Sequence, residues 1–274
     1  MSRLHEILTP GKPLIAAHRG VSGGNIPPNT EAAFQAALLQ GAEIIELDVT
    51  QCADGELFIF HPGMEKPHLG LPESDCLKHM HSAEVRRLRY LNHDGTATPW
   101  GLMTLREALG MLRDKCVVNI DKFQRYPADI ARVVREMGMQ DQVLVKTDVW
   151  EGHFRAVEEV AADLPYIAIV RERDEVSEHL RKRPMRYLGA EVLFSGDDSP
   201  VAVPAYTEWM HRNHLLTWVN AIVYDSRTLL TGVHTDDTAI TGNPDLGWGW
   251  LIDRGFDIIQ TDWVAQLRAY RDAR

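Results

Sequence analysis

Cysteine is scarce in this chain of 274 residues, and none of its three cysteines belongs to a CxxC pair. The odd number and wide spacing of Cys52, Cys76 and Cys116 argue against a disulfide framework and against a cysteine-based zinc site. Free thiols of this kind are typical of a reducing compartment. We therefore expect a cytoplasmic protein whose cysteines are reduced.

Long apolar runs and basic runs are also missing. No uninterrupted apolar stretch approaches the ~20 residues that cross a bilayer, and the N-terminal MSRLHEILTP lacks the apolar core of a signal peptide. The formal net charge is -10, and no basic segment offsets it. These features predict no membrane insertion and no nucleic-acid partner, and they carry no signal for an oligomeric state. An anionic small-molecule substrate would have to be held by local positive charge.

What the sequence does contain is an apolar run, Ala42 to Val49, that carries two carboxylates. Positions i and i+2 of a β-strand share a face, so Glu46 and Asp48 would project side by side while the neighbouring apolar residues point the other way. Two carboxylates this close repel each other unless a cation lies between them. The pair therefore predicts a hard divalent metal, and the alternative is a strand end whose acids simply reach water.

The rest of the chain alternates between predicted strands and helices. Eight core strands are predicted, beginning at Leu14, Ala42, Cys116, Val143, Tyr166, Val192, Leu215 and Asp257. Eight strands alternating with helices over ~250 residues predict an α/β chain folded as a single (β/α)₈ TIM barrel domain spanning 1–274. An open doubly wound sheet is the rival, but it usually carries a GxGxxG turn that Gly23-Gly24 does not supply.

Two long segments interrupt this alternation. After a short hairpin through Asp54-Gly55, residues 62–103 lose their periodicity and are predicted to form an inserted loop or lid after the second strand. The segment 226–247, with Asp236 and Asp237, is predicted to overhang the same end of the barrel. Functional residues concentrate on such loops, so we expect both segments to select the substrate.

In a barrel the carboxyl ends of distant strands meet at one rim, where catalytic residues lie. The predicted rim collects His18, Arg19, Glu46, Asp48, His61, Asp121, Lys146, Trp218 and Asn220. Three carboxylates without a cysteine or His-x-His pair make an oxygen-rich site, which suits Mg²⁺ or Ca²⁺ as the cofactor. Two histidines beside a metal suggest a general acid and a general base, and an arginine suggests a phosphate.

These residues resemble the motifs of the glycerophosphodiester phosphodiesterase family, metal-dependent hydrolases built on a TIM barrel. The matching residues are His18-Arg19-Gly20, Asn29-Thr30-Glu31, Glu46-x-Asp48, Asp54-Gly55, His61, Asp121, Trp218-x-Asn220 and Gln260-Thr261-Asp262. The resemblance implies that His18 and His61 are the catalytic acid and base, and that Glu46, Asp48 and Asp121 are the metal ligands. It also implies hydrolysis of a glycerophosphodiester to an alcohol and glycerol 3-phosphate, a reaction of lipid metabolism.

The third-strand motif departs from the family's Glu-x-Lys, because this chain reads Asp121-Lys122-Phe123. Strand alternation would point Lys122 away from the face of Asp121, unless the strand ends at Asp121 and the turn swings Lys122 inward. Lys146, at the end of the next strand, is then the best candidate for a second cation at the phosphate. The candidate substrate-binding residues are therefore Arg19, Lys122, Lys146, Trp218 and Asn220.

Other functions fit parts of the pattern. Related barrels, such as the phosphatidylinositol-specific phospholipases C and the spider-venom phospholipases D, attack with a substrate hydroxyl and give a cyclic phosphate. The altered third-strand motif is also compatible with a barrel that binds metal or phosphate without catalysis, although both histidines and all three acids are retained. A glycosidase is disfavoured, because its paired carboxylates normally come from different strands, whereas Glu46 and Asp48 share one.

Overall fold

A computed structural model of the chain describes residues 3–72, 74, 76–225 and 227–274. Its strands are β1 Leu14–Ala17, β2 Ile44–Gln51, β3 Leu57–Ile59, β4 Val117–Asp121, β5 Val143–Asp148, β6 Tyr166–Arg171, β7 Tyr187–Leu193, β8 Leu216–Asn220 and β9 Ile258–Thr261. Its helices are α1 Arg3–Ile7, α2 Glu31–Gln40, α3 Glu65–Leu69, α4 Ser82–Val85, α5 Leu105–Leu112, α6 Pro127–Glu136, α7 Glu151–Val160, α8 Ser177–Leu180, α9 Pro204–Arg212, α10 Asp236–Thr241, α11 Trp250–Asp253 and α12 Val264–Asp272.

The parallel strands close into a ring. Around the ring the order is β1-β9-β8-β7-β6-β5-β4-β2, and β1 pairs with β2 to complete it. Strand β3 lies outside the ring and pairs antiparallel with β2, as the predicted hairpin required. The predicted TIM barrel is therefore confirmed.

Alternation along the strands separates two apolar layers. Outward-facing residues such as Ile15, Ile45 and Val118 pack against the surrounding helices. Inward-facing residues, among them Ala16, Ile44 and Val117, fill the barrel interior, as in other TIM barrels. Because the inward positions become polar toward the carboxyl ends of the strands, the barrel carries a polar floor at this end.

The predicted strands begin within two residues of the observed ones, except for the strand predicted at Val192. That strand is β7, and it begins at Tyr187. Gly189 and Glu191 interrupt its apolar pattern, which hid its first half. Gly189 lies so close to β8 that a Cβ there would be 1.9 Å from the carbonyl oxygen of Leu216. Glu191 points into the polar floor of the barrel, where a charged side chain finds partners.

The described residues of the segment 62–103 pack against the hairpin. Their described part contains α3, α4 and a 3₁₀ turn, Leu77–His79. An apolar cluster joins this segment to the hairpin through Leu77, Tyr90 and Phe58. Two residues of this segment, Glu73 and Asp75, lie outside the described residues, as does Ser226 at the start of the second predicted segment. That these segments select the substrate stays a prediction.

The described helices and cysteines add two observations. No described helix combines the length and the apolar character needed to cross a membrane. Cys52 and Cys116 are buried, and Cys76 is half-buried. Burial raises the pKa of Cys116 to about 12, so this thiol is poorly reactive at neutral pH.

Candidate active site

The chain turns sharply after β1, at His18-Arg19-Gly20. Arg19 has a left-handed backbone, with φ of 56°, and its N–H donates a hydrogen bond of 2.9 Å to Oε2 of Glu46. Gly20 has φ of 80°, and a Cβ there would lie 2.7 Å from the backbone of Ala33 in α2. Only glycine fits this close approach, which holds the turn at the carboxyl end of β1.

Three carboxylates gather at the ends of β2 and β4. The register pairs Glu46 with Asn119 and Asp48 with Asp121, so Asp48 and Asp121 lie at the same level of the barrel. Ligand oxygens of Glu46, Asp48 and Asp121 lie within 4.8 Å of one another. Burial, followed by the charge of Asp48, raises the pKa of Glu46 to about 7. The cluster is thus electrostatically unfavourable without a cation.

The hydrogen bonds around Asp48 leave one oxygen open toward this cluster. Oδ2 accepts a hydrogen bond of 3.0 Å from Asn29 and lies 2.9 Å from Nε of Arg19. Oδ1 is buried and has no hydrogen-bond partner. An unpartnered, buried carboxylate oxygen beside two further carboxylates fits a hard divalent cation of the Mg²⁺ or Ca²⁺ kind.

His18 is oriented by Asp262. Its Nδ1 lies 2.9 Å from Oδ1 of Asp262, and its ring is largely buried. Asp236 fixes the backbone here, because its Oδ2 accepts a hydrogen bond of 2.9 Å from the N–H of Asp262. Burial opposes protonation of the His18 ring, but the hydrogen bond with Asp262 and the charge of Glu46 outweigh it. The pKa of His18 therefore lies above its usual value.

His61 lies near Asp48, just beyond β3. Its Nε2 is 3.9 Å from Oδ1 of Asp48, and its side chain is 25% exposed. Its buried Nδ1 has no hydrogen-bond partner. Burial is the main cause that lowers the pKa of His61 below its usual value. The two histidines thus differ in environment. The carboxylate of Asp262 raises the pKa of His18, whereas burial lowers the pKa of His61.

Lys122 corrects the expectation from strand alternation. Strand β4 ends at Asp121, and Lys122 has a left-handed backbone with φ of 61°. The turn swings its side chain inward, where Nζ lies 2.9 Å from Oδ2 of Asp121. The strand therefore ends at Asp121 and the turn directs Lys122 inward, which is the alternative that the sequence left open. A lysine thus lies beside the carboxylate cluster. Strand alternation beyond Asp121 would have put Phe123 on the same face as Asp121, but Phe123 is buried in the outer apolar layer.

Lys146 is fully buried in the polar floor. Its Nζ is 2.8 Å from Oε2 of Glu191 and lies 3.0 Å above the ring of Trp218. Asn220 donates a hydrogen bond of 2.6 Å to the other oxygen of Glu191. Burial lowers the pKa of Lys146, and the charge of Glu191 opposes that effect. Trp218 is completely buried beneath the lysine, so its predicted substrate contact is revised to a supporting contact with Lys146.

The polar floor opens into a cavity of about 240 Å³, here called the inner cavity. Of the predicted residues, those that line it are His18, Arg19, Glu46, Asp121, Lys122, Lys146 and Asn220. The cavity is also lined by residues that the sequence did not single out as site residues, among them Asn119, Glu191, Tyr224 and Gln260. Asn119 precedes Asp121 by two positions on β4, so strand alternation would have found it. Tyr224 follows β8 in a loop with no recognisable pattern.

The chain is a closed TIM barrel with carboxylates, histidines and cations at the carboxyl ends of its strands. Residues 18–216 match the glycerophosphoryl diester phosphodiesterase family, and the chain belongs to that family. Residues 166–271 also match a family described as a domain of unknown function.

Curated relatives align with part of the chain. A glycerophosphodiester phosphodiesterase of Bacillus altitudinis is 32% identical over 145 residues, which cover 48% of this chain and 57% of that protein. A probable glycerophosphodiester phosphodiesterase of Mycobacterium tuberculosis is 31% identical over 121 residues, 42% of each chain. The chain therefore spans about half the length of the curated relatives it matches.

Solved structures share the fold over nearly the whole chain. A glycerophosphoryl diester phosphodiesterase from Parabacteroides distasonis has a TM-score of 0.76 at 18% identity, covering 96% of this chain and 87% of that one. A phosphodiesterase from Oleispira antarctica, in complex with the product sn-glycerol-3-phosphate, has a TM-score of 0.67 at 16% identity and covers 98% and 99%.

Proposed function

We propose that this chain is a phosphoric diester hydrolase that cleaves glycerophosphodiesters to an alcohol and glycerol 3-phosphate. The observation that carries the proposal is the cluster of Glu46, Asp48 and Asp121 within 4.8 Å, with His18 and His61 beside it. The Oleispira antarctica phosphodiesterase, with a similar barrel, binds sn-glycerol-3-phosphate as its product. That likeness supports the same substrate class for this chain.

The three carboxylates would hold a divalent cation, Mg²⁺ or Ca²⁺, as the cofactor. Such a cation, when bound, stabilises the charge that develops on phosphate oxygens during displacement at phosphorus. Arg19 and Lys122 line the inner cavity at this point and supply further positive charge for the phosphate. This local charge is needed because the whole chain carries a net charge of -10.

The two histidines divide the proton transfers. His18 keeps its proton because Asp262 accepts a hydrogen bond from Nδ1, which leaves Nε2 to protonate the leaving oxygen. His61 accepts a proton from the attacking water. The water oxygen then bonds to phosphorus, the bond from phosphorus to the leaving alcohol breaks, and the alcohol departs with the proton from His18.

The inner cavity suits a small, hydroxylated group such as glycerol. Its volume of about 240 Å³ falls below the roughly 300 to 1,000 Å³ typical of pockets for drug-sized ligands. Asn119 and Asn220 present buried amide oxygens without partners, and these can accept hydrogen bonds from hydroxyl groups. We therefore place the glycerol arm of the substrate here.

We extend the proposal to the setting of the reaction. A cytoplasmic location is supported by three free cysteines, two of them buried. Glycerophosphodiesters derive from lipids, so the reaction belongs to lipid metabolism. The catalytic unit is proposed to be one barrel domain over 1–274, with 62–103 as its insertion, acting on a small-molecule substrate.

Phosphorus NMR of the reaction with glycerophosphoethanol tests the proposal. Glycerol 3-phosphate should appear as the first product when Mg²⁺ or Ca²⁺ is present. Early accumulation of a cyclic phosphate would instead establish attack by a substrate hydroxyl. Metal binding without turnover of this ester, or of bis(p-nitrophenyl) phosphate, would establish a non-catalytic barrel.

A further inference from the structure

A second depression meets the catalytic centre on the far side of His18 and Arg19, both of which it shares with the inner cavity. We call it the outer groove. Its volume is about 550 Å³, and its walls include Val21, Pro28, His68 and Trp263. At Pro28 and His68 it continues into a further depression of about 580 Å³. The outer groove is thus more than twice the size of the inner cavity.

A phosphodiester needs space on two sides of its phosphorus, because it carries two alcohols. The inner cavity has the polar floor at its base and a volume of about 240 Å³, so it has room for one small arm. A phosphate placed at Arg19 must therefore extend its second arm elsewhere. The outer groove begins at the same arginine, and Asp262, which holds His18, also lines it. The alcohol that receives the proton from His18 thus has its path outward through this groove.

The lining of the outer groove is mixed, and Val21, Pro28 and Trp263 give it apolar and aromatic surface beside polar side chains such as Gln40 and Gln266. The indole of Trp263, just after β9, is 42% exposed, although burying such a ring is favourable. His68, on α3, also lines the groove, and the centroid of its ring lies 6.4 Å from that of Phe60 and 6.3 Å from that of Tyr90. Burial is the main cause that lowers the pKa of His68, so its ring adds a neutral flat surface at pH 7.

We infer that the outer groove binds the leaving alcohol, and that Trp263 and His68 make the enzyme prefer glycerophosphodiesters whose leaving alcohol is bulky and partly apolar. This inference rests on the proposed function and adds the substrate class to it. The insertion contributes His68, so it selects the substrate through one wall of the groove.

The test compares two esters of glycerol 3-phosphate, one with methanol and one with benzyl alcohol, which are alcohols of similar acidity. The wild type should have the higher kcat/KM for the benzyl ester. Trp263→Ala should lower kcat/KM for the benzyl ester about 10-fold, the lower end of the effect of a lost apolar contact, and leave the methyl ester within about twofold. Trp263→Phe should retain most of the preference.

Trp150→Ala is the matched control, because Trp150 is a 62% exposed tryptophan on the same rim, after β5 and outside the outer groove. It should change neither ester. An equal loss for both esters in Trp263→Ala, or no loss for either, overturns this inference while the proposed function stands. A wild type that hydrolyses neither ester overturns the proposed function and this inference with it.

Discussion

Asp236, in the segment after β8, is connected to His18 by a chain of hydrogen bonds through Asp262. One of its oxygens accepts from Trp248 and Thr261, and the other accepts from the N–H of Asp262. Asp262 in turn holds Nδ1 of His18. His18 therefore has a defined orientation and a raised pKa before any substrate binds.

Replacing Asp262 tests this arrangement at the level of one residue. Asp262→Asn removes the charge that raises the pKa of His18, so the acid form of His18 should be lost at a lower pH. The falling, high-pH limb of the kcat profile should move to lower pH. The loss in kcat at pH 7 should stay below the ~10² expected for removal of His18 itself.

A substrate whose leaving group needs no proton distinguishes a loss of acid catalysis by His18 from a structural defect in Asp262→Asn. Turnover of bis(p-nitrophenyl) phosphate by Asp262→Asn should remain close to that of the wild type. Asp253→Asn, at an exposed aspartate on α11 that pairs with Arg274, is the control and should shift neither profile. An unmoved high-pH limb in Asp262→Asn would show that Asp262 does not tune His18.

Residue types and spacing predicted which carboxylates gather at the candidate site, but side-chain direction was predictable only inside regular strands. Glu46, Asp48 and Asp121 occupy strand positions, so alternation predicted that they lie together. Lys122 lies one residue beyond β4 in a left-handed conformation that few non-glycine residues adopt. No pattern in the sequence announces that turn, and the direction of Lys122 therefore remained open.

At the scale of elements, a buried ion pair joins β5 to β7. Lys146 and Glu191 are 2% and 11% exposed in their side chains, and Asn220 of β8 completes the contact. Removing one partner of such a pair leaves an uncompensated buried charge. Lys146→Met should therefore lower the free energy of unfolding by about 3 to 5 kcal/mol in chemical denaturation.

The double variant Lys146→Met, Glu191→Leu should regain most of that loss, because it removes both charges. Lys182→Met is the control. Lys182, just beyond α8, pairs with Glu178 of α8, and both side chains are exposed. This substitution should therefore change the free energy of unfolding by less than about 1 kcal/mol. A double variant no more stable than Lys146→Met would show that packing, rather than the unpaired charge, causes the loss.

Gly189 controls the approach of β7 to β8. Any Cβ at this position would overlap the backbone of Leu216, and backbone atoms cannot move aside without breaking the pairing of the strands. Gly189→Ala should therefore destabilise the barrel by more than about 2 kcal/mol, at the upper end of typical point substitutions. Thermal unfolding measures the effect.

Gly110, inside α5, provides the opposite result. A Cβ there meets only the end of Met137 at 3.9 Å, so Gly110→Ala should stabilise the protein by roughly 0.5 to 1 kcal/mol. Equal stability of Gly189→Ala and the wild type would contradict the described contact between β7 and β8. Gly189 also explains why the predicted start of β7 was wrong, because it interrupts the apolar run at the point where β7 and β8 come closest.

At the scale of the whole molecule, the closed ring brings together residues that are far apart in the chain. Apolar periodicity predicted the eight strands, and their order then followed from the barrel. The conformation of the loops could not be predicted in this way, because it depends on tertiary contacts rather than on apolar periodicity. Tyr224 and the packing of 62–103 belong to that class.

Metal binding should stabilise the whole barrel, because the three ligands come from β2 and β4 only after folding. A cation at 100 times its dissociation constant should raise the free energy of unfolding by about 2.7 kcal/mol. Thermal unfolding with and without Mg²⁺ or Ca²⁺ measures this gain. Asp121→Asn should show a smaller gain, and an equal gain would place the cation elsewhere.

We propose that Glu46, Asp48 and Asp121 hold a divalent cation on which phosphodiester hydrolysis depends. Turnover of glycerophosphoethanol by chelator-treated protein, measured as Mg²⁺ or Ca²⁺ is added back, tests this dependence. We expect no turnover without the cation, saturable recovery in the wild type and little recovery in Asp121→Asn. Full turnover by the metal-free protein, or full recovery in Asp121→Asn, would contradict it.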